Sequence, residues 1–156
     1  MSSDRAVMFY GGLVELYNPK MKLFDVYVAS ILGELYLSFP EPTFMDSAAT
    51  AAITPELIKS KLIDGEMKDD GCLETCTYTM NWLFQQGYFT GTYEEKPDWY
   101  DNAVLTEKGL NLLNKKLDNL GQSVGEHLST FSTDVGKNIT KDYMKEVIKW
   151  LINSIV

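Results

Sequence analysis

Apolar and polar positions divide the chain into segments of different period. From Lys20 to Phe39 it reads KMKLFDVYVASILGELYLSF, too long for a typical strand, with Leu23, Phe24, Val26, Tyr27, Val28, Ile31, Leu32, Leu35 and Tyr36 spread around most of a helical circumference. That distribution predicts a largely buried first helix. Pro40 and Pro42 end it, because proline lacks an amide hydrogen and disfavours helical geometry in the residue before it. The small residues from Ser47 to Ala52 read as a connector or a short, close-packed turn of helix. Thr54-Pro55-Glu56 carries the marks of a helix start: a hydroxyl cap, a proline tolerated in the first turn and an acid near the positive end of the dipole. This second helix is expected to run to about Ile63, before Gly65.

Asp69 or Asp70 is placed to cap a third helix, along which Leu73, Cys76, Met80, Leu83 and Phe84 recur at three- and four-residue spacing. Gly87 follows where a left-handed residue would stop it. YFTGTY, Tyr88 to Tyr93, is rich in aromatic and β-branched residues and predicts a strand; NAVL, ending at Leu105, returns as a second. EEKPDWYD between them, with a proline and several acids, reads as a long hairpin loop. Thr106 then caps a fourth helix through Leu110, Leu113 and Leu117.

Helix, helix, helix, strand, loop, strand, helix, with MNWLFQQGYFTG and AVLTEKGL as its most distinctive corners, resembles the winged helix-turn-helix superfamily over about residues 20–120. The resemblance implies a mainly α fold with a small β-hairpin wing: a winged-helix domain with an N-terminal extension over residues 1–120, and a C-terminal helical segment over 121–156 that packs or dimerises. In that segment Leu113, Leu117, Leu120, Val124, Leu128, Phe131 and Val135 keep an apolar spacing of three or four, as one long helix or two with a break near Gly121 and Gly125. Asn138 or Thr140 starts a last helix with Tyr143, Met144, Val147, Ile148, Leu151 and Ile155 on one face. Terminal helices commonly dimerise winged-helix proteins, so the resemblance implies a homodimer through Val124, Leu128, Phe131, Val147 and Leu151. Packing on the chain's own domain is the simpler use of the same face.

Charge alters the functional meaning of that fold. The 156 residues hold 14 basic and 22 acidic side chains, a formal charge of −8, with one arginine, Arg5. In DNA-binding members of the superfamily the helix before the wing enters the major groove and the wing touches the backbone, contacts that call for cations and side-chain amides. Residues 69–95 contain no lysine or arginine, and the following loop sets Lys96 alone against Glu94, Glu95, Asp98 and Asp101. Acids at those positions remove the counterion-release term on which DNA affinity depends. Lys59, Lys61, Lys115 and Lys116 are cations left to meet DNA with another surface, the basis of an alternative reading as a dimeric transcriptional regulator.

Aromatics beside carboxylates have the composition of a protein-binding hot spot for a basic partner. The expected contact set is Glu74, Tyr78, Glu94, Glu95, Asp98, Trp99 and Tyr100. A competing use of Trp99 is to fold back onto the third helix as core. Cys72 and Cys76 share a helical face, but a structural zinc site needs four ligands and the single histidine, His127, is distant in sequence; buried core cysteines and no metal or other cofactor are expected. Gly11-Gly12 and the pair Gly121 and Gly125 lack the surroundings of a phosphate loop, and there is no serine elbow or second histidine, so a non-catalytic role is expected. The N-terminus lacks a secretory pattern, no run approaches the roughly 18 apolar residues of a membrane span, and two cysteines make no disulfide framework. A cytoplasmic setting follows as the expectation. Lys137, Lys141, Lys145 and Lys149 form a cationic stripe that, with Trp150, also fits a membrane surface, although packing of the apolar face is preferred. The whole reads as a protein that acts by binding a basic protein partner. In size and charge alone it resembles a bacterial immunity-type inhibitor of a basic nuclease.

Overall fold

A computed structural model of the chain describes residues 22–59, 63, 69–93, 98–117, 121–133 and 142–156. Among these the chain is mainly helical, with one small antiparallel sheet. The first helix, α1 (Leu23–Ser38), is buried without interruption from Val26 to Gly33. Such a helix cannot lie on a surface; its neighbours must cover it on every side. It ends just ahead of Pro40 and Pro42, as their chemistry requires.

The chain next forms a strand that no alternation in the sequence marks, β1 (Thr43–Asp46), which runs directly into α2 (Ser47–Ala51). Asp46 makes this junction by accepting a hydrogen bond from the Ala48 amide at 3.2 Å, an N-cap. In α3 (Thr54–Lys59) the Thr54 hydroxyl makes a tertiary tie. It donates to the Ala51 carbonyl at 2.7 Å and lies 2.6 Å from the Tyr27 hydroxyl. With its one proton engaged on Ala51, it accepts from Tyr27 and fastens α3 to α1. The stretch expected to carry this helix to Ile63 falls largely outside the described residues.

Helix α4 (Asp69–Gln85) buries Cys72, Cys76, Met80 and Leu83, while Leu73, expected on the same face, is exposed. Gly87 has φ +83°; its amide donates to the Phe84 carbonyl and that of Tyr88 to Leu83, the paired bonds that close a helix around a left-handed residue. Strands β2 (Phe89–Thr92) and β3 (Trp99–Leu105) follow, and the sheet order is β1-β3-β2. Trp99 and Tyr100, expected in the hairpin loop, belong to β3. Thr106 caps α5 (Glu107–Leu113) by accepting from the Gly109 amide at 3.1 Å.

The helix does not continue through Leu117. An antiparallel bridge between Lys116 and Ser123 reverses the chain into α6 (Val124–Thr133). Ser123 and Glu126 start α6 with reciprocal bonds, the Ser123 amide to Glu126 Oε1 at 2.7 Å and the Glu126 amide to Ser123 Oγ at 3.1 Å. The break therefore precedes Gly125, which lies inside the helix. The last helix, α7 (Asp142–Ile155), lays Met144, Val147, Ile148 and Leu151 into the same core as α1 and α6.

This packing corrects the expected dimer surface. Val124, Leu128, Phe131, Val147 and Leu151 are all 0% exposed within one chain, because α6 and α7 use their apolar faces to cover α1. They have no area left for a sister chain. Among the described residues no helix is long and apolar enough to cross a membrane.

The α1–α6 contact is the most extensive between any two of the described elements, and it depends on two glycines. A Cβ on Gly33 would run into the Leu128 carbonyl, and one on Gly125 into the Tyr36 ring at 2.5 Å. Alanine at position 33 is expected to lower stability by about 1–3 kcal/mol despite a better helix propensity, because a backbone carbonyl cannot swing aside. Alanine at 125 should cost less, since the Tyr36 ring can shift; urea unfolding of the two variants measures the order.

His127, on α6, is buried, and burial holds its pKa below the ordinary imidazole value while the Glu126 charge opposes the shift. Its proton is then bound more weakly folded than unfolded, so its contribution to stability is present above the unfolded value near 6.5 and is lost as pH falls below it. Burial raises the carboxyls of Asp25 and Glu34, which favours the folded state as pH falls and works the other way. Those two groups are common to the protein and to a His127→Gln variant. Between pH 7.5 and 5.5 the Tm of the variant should therefore fall less than that of the parent, and equal falls would remove His127 from the acid response.

Candidate functional site

The site begins with a defect in the central strand. Between Ala103 and Tyr100, β3 advances three residues while β1 advances two, from Thr43 to Met45; the same mismatch faces β2 between Thr90 and Thr92. The extra residue is a bulge at Asp101-Asn102, and Asn102 has φ +55°, a left-handed conformation that asparagine tolerates better than most side chains. Side chains alternate along a strand, so one extra residue inverts which parity faces the core. Tyr100, Ala103 and Leu105 all point inward as a result, and Trp99 is left half-buried on the other face.

Tyr100 consequently cannot meet a partner. Its side chain is 1% exposed, packs tilted on Phe84 and edge-to-face with Phe89, and donates from its hydroxyl to Asn81 Oδ1 at 2.7 Å. Burial, with Tyr93 nearby, pushes its pKa up to about 12, and it remains a neutral donor. Trp99 instead packs against exposed Phe44 of β1, ring centroids 5.7 Å apart.

Three elements converge beside Trp99. Ser47, fully buried at the start of α2, donates from both its amide and its hydroxyl to the Asp98 carbonyl, at 3.0 and 2.8 Å. Its Oγ in turn accepts from the Thr77 hydroxyl of α4 at 2.8 Å. This chain ties the β1–α2 corner, the base of β3 and α4 together around a cavity of about 540 Å³. Ser47 and Thr77 lie at its polar side, Leu73, Tyr78 and Trp99 supply apolar surface, and Asp46, Glu74 and Asp98 supply carboxylates. Tyr78, 64% exposed, donates to Glu74 Oε2 at 3.3 Å, which holds ring and carboxylate side by side. No lysine or arginine is among the described residues that line the cavity.

Of the expected contact residues, Glu74, Tyr78, Asp98 and Trp99 are thus brought together, Tyr100 is core, and Glu94 and Glu95 lie outside the described residues. Asp46, Ser47, Leu73 and Thr77 complete the cavity without having been anticipated. The Asp46-Ser47-Ala48 step is itself a capping pattern, an acceptor before a run of small helix formers, and would have located the corner. Cys72 and Cys76 are buried, and burial pushes the Cys76 thiol up to about 12, so it is protonated and unreactive at neutral pH. Among the described residues no group of three or more histidine, cysteine, aspartate or glutamate side chains is arranged to hold a metal ion. Comparison with protein-family models, curated proteins and solved structures finds no match to this chain.

If the bulge sets the orientation of Trp99, position 102 should be sensitive to backbone preference. Asn102→Val is expected to cost about 1–2 kcal/mol, since a β-branched residue resists positive φ, whereas Asn102→Gly should be nearly neutral. Urea unfolding together with Trp99 solvent quenching tests both; equal stability of the two variants would remove the bulge from the account.

Proposed function

We propose that the chain is a winged-helix protein without catalytic chemistry that acts by binding a basic protein, occluding or positioning the surface it covers. The winged-helix assignment is supported by the helical segments before the hairpin, by the strand order β1-β3-β2, and by the Thr106-capped helix directly after β3. In such a fold α4 is the helix and β2–β3 the wing that would meet DNA. The exposed side of α4 carries Leu73, Glu74 and Tyr78, and Asp98 stands at the loop end of the wing, just before β3. Phosphates would meet carboxylates there, without cations from residues 69–95.

The observation that carries the protein-binding reading is the convergence of Glu74, Tyr78, Asp98 and Trp99 with Asp46 around one concave surface. A cluster of aromatic rings, concave and rimmed by one sign of charge, is how hot spots combine buried area with steering of an oppositely charged partner. The acidic composition of the whole chain acts in the same direction. An immunity-type inhibitor of a basic enzyme is one protein of this kind.

Reversal of two rim charges in the variant Glu74→Lys/Asp98→Lys should weaken capture of the basic partner from native extract by tenfold or more, of the order measured for charge pairs at interfaces, with Tm little changed. Fluorescence anisotropy against pooled genomic DNA at about 0.15 M salt, where screening is physiological, should give no saturable binding. Tight, sequence-dependent DNA binding would overturn the proposal in favour of a transcriptional regulator.

A further inference from the structure

We propose that the cavity beside Trp99 seats an arginine side chain of the partner; this rests on the protein-binding reading above and names the chemistry it recognises. The argument starts from where the protons are. The Thr77 hydroxyl donates to Ser47, the Ser47 hydroxyl and amide donate to the Asp98 carbonyl, the Tyr78 hydroxyl donates to Glu74, and the Ala48 amide donates to Asp46. Each of these donors is engaged within the protein. What they present to the cavity is oxygen lone pairs, and the carboxylates of Asp46, Glu74 and Asp98 are acceptors only when ionised.

A cavity that offers acceptors selects a ligand made of donors. Neutral amides and hydroxyl compounds bring acceptors of their own that would find no side-chain donor there besides the Trp99 indole N–H, and anions are repelled by three carboxylates. Guanidinium and ammonium groups are the protein side chains that donate without accepting. The walls discriminate between these two. The exposed Tyr78 ring, the half-buried Trp99 ring and Leu73 form flat, apolar surface. A planar, weakly hydrated guanidinium stacks on such surface while its edge donates to carboxylates, whereas a compact ammonium keeps its hydration and has no face to stack. Phe44 packs against the Trp99 ring and limits its freedom to turn.

The test is a two-dimensional ¹H–¹⁵N NMR titration of the full chain with three probes: the N-acetyl N-methylamides of arginine, lysine and citrulline, the last a neutral isostere of arginine. The arginine probe should give saturable shifts at the Trp99 indole and at the amides of Ser47, Ala48, Glu74, Tyr78 and Asp98. Lysine should bind there about threefold more weakly, the value of cation stacking at an exposed ring, and citrulline not measurably. Glu74→Gln/Asp98→Asn should weaken the arginine probe about tenfold, and Tyr78→Leu, which keeps the charges, should abolish its advantage over lysine. Equal binding of arginine and lysine, or an unchanged advantage in Tyr78→Leu, would overturn the arginine assignment. Shifts scattered over the acidic surface without saturation would overturn the cavity as the seat. If either result accompanies loss of partner capture in Glu74→Lys/Asp98→Lys, this inference fails and the protein-binding reading stands; if capture persists as well, both fail.

Discussion

Everything in this structure is arranged around a helix whose central turns, Val26 to Gly33, water does not reach. Helix α1 is apolar on nearly every side, so the chain folds only if each side is covered, and the sheet, α4, α6 and α7 divide that circumference between them. The narrowest part of the arrangement is the crossing with α6, where backbone meets backbone through Gly33 and the Tyr36 ring lies on Gly125. Close approach gives many small dispersion contacts along the crossing, and these are lost together if the helices separate. The C-terminal helices are therefore not an appendage to a smaller domain. They form one wall of its only described core.

What the sequence revealed and what it concealed follow from this. Length and apolar residues around most of its circumference were enough to recognise α1, and turn chemistry was enough for Gly87 and Thr106, since those signals depend on the backbone of a few neighbouring residues. The destination of an apolar face is another matter. Val124, Leu128, Phe131, Val147 and Leu151 have the same spacing whether they cover a sister chain or α1, and only tertiary contact decides. Thr54 likewise reads locally as a helix start, and nothing near it announces its contact with a buried phenol 27 residues earlier.

The cavity shows the same division between local and distant causes. Glu74, Tyr78, Asp98 and Trp99 could be selected from charge and aromatic content, because a surface for a basic partner has that composition wherever it lies. Asp46 and Ser47 carry a local capping signal, but that their corner meets Thr77 and the start of β3 depends on β1, which is four residues long with no alternation to mark it and pairs with residues far along the chain, Asp46 with Trp99 and Thr43 with Ala103. Ser47 matters less for what it exposes than for what it joins: through one hydroxyl and one amide it sets the distance between two carboxylate-bearing elements and the helix opposite. The acidic surface is preorganised by groups that a partner need not touch.

The bulge at Asp101-Asn102 has a consequence for how this protein can change. A strand with an inserted residue carries two phases, one from Trp99 to Tyr100 and another from Ala103 to Leu105, coupled at a single joint. Deletion of one of the two bulge residues would restore plain alternation and leave the phenol inside and the indole outside, whereas flattening the bulge with every residue retained would rotate the outer half by one face, placing the indole inside and the phenol outside. Loss or gain of a residue between the joint and the Thr106 cap would misalign the core instead. The joint thus lets one strand keep Tyr100, Ala103 and Leu105 in the core on both sides of the bulge, so a change at Trp99 alters what the molecule presents while these three keep their place inside.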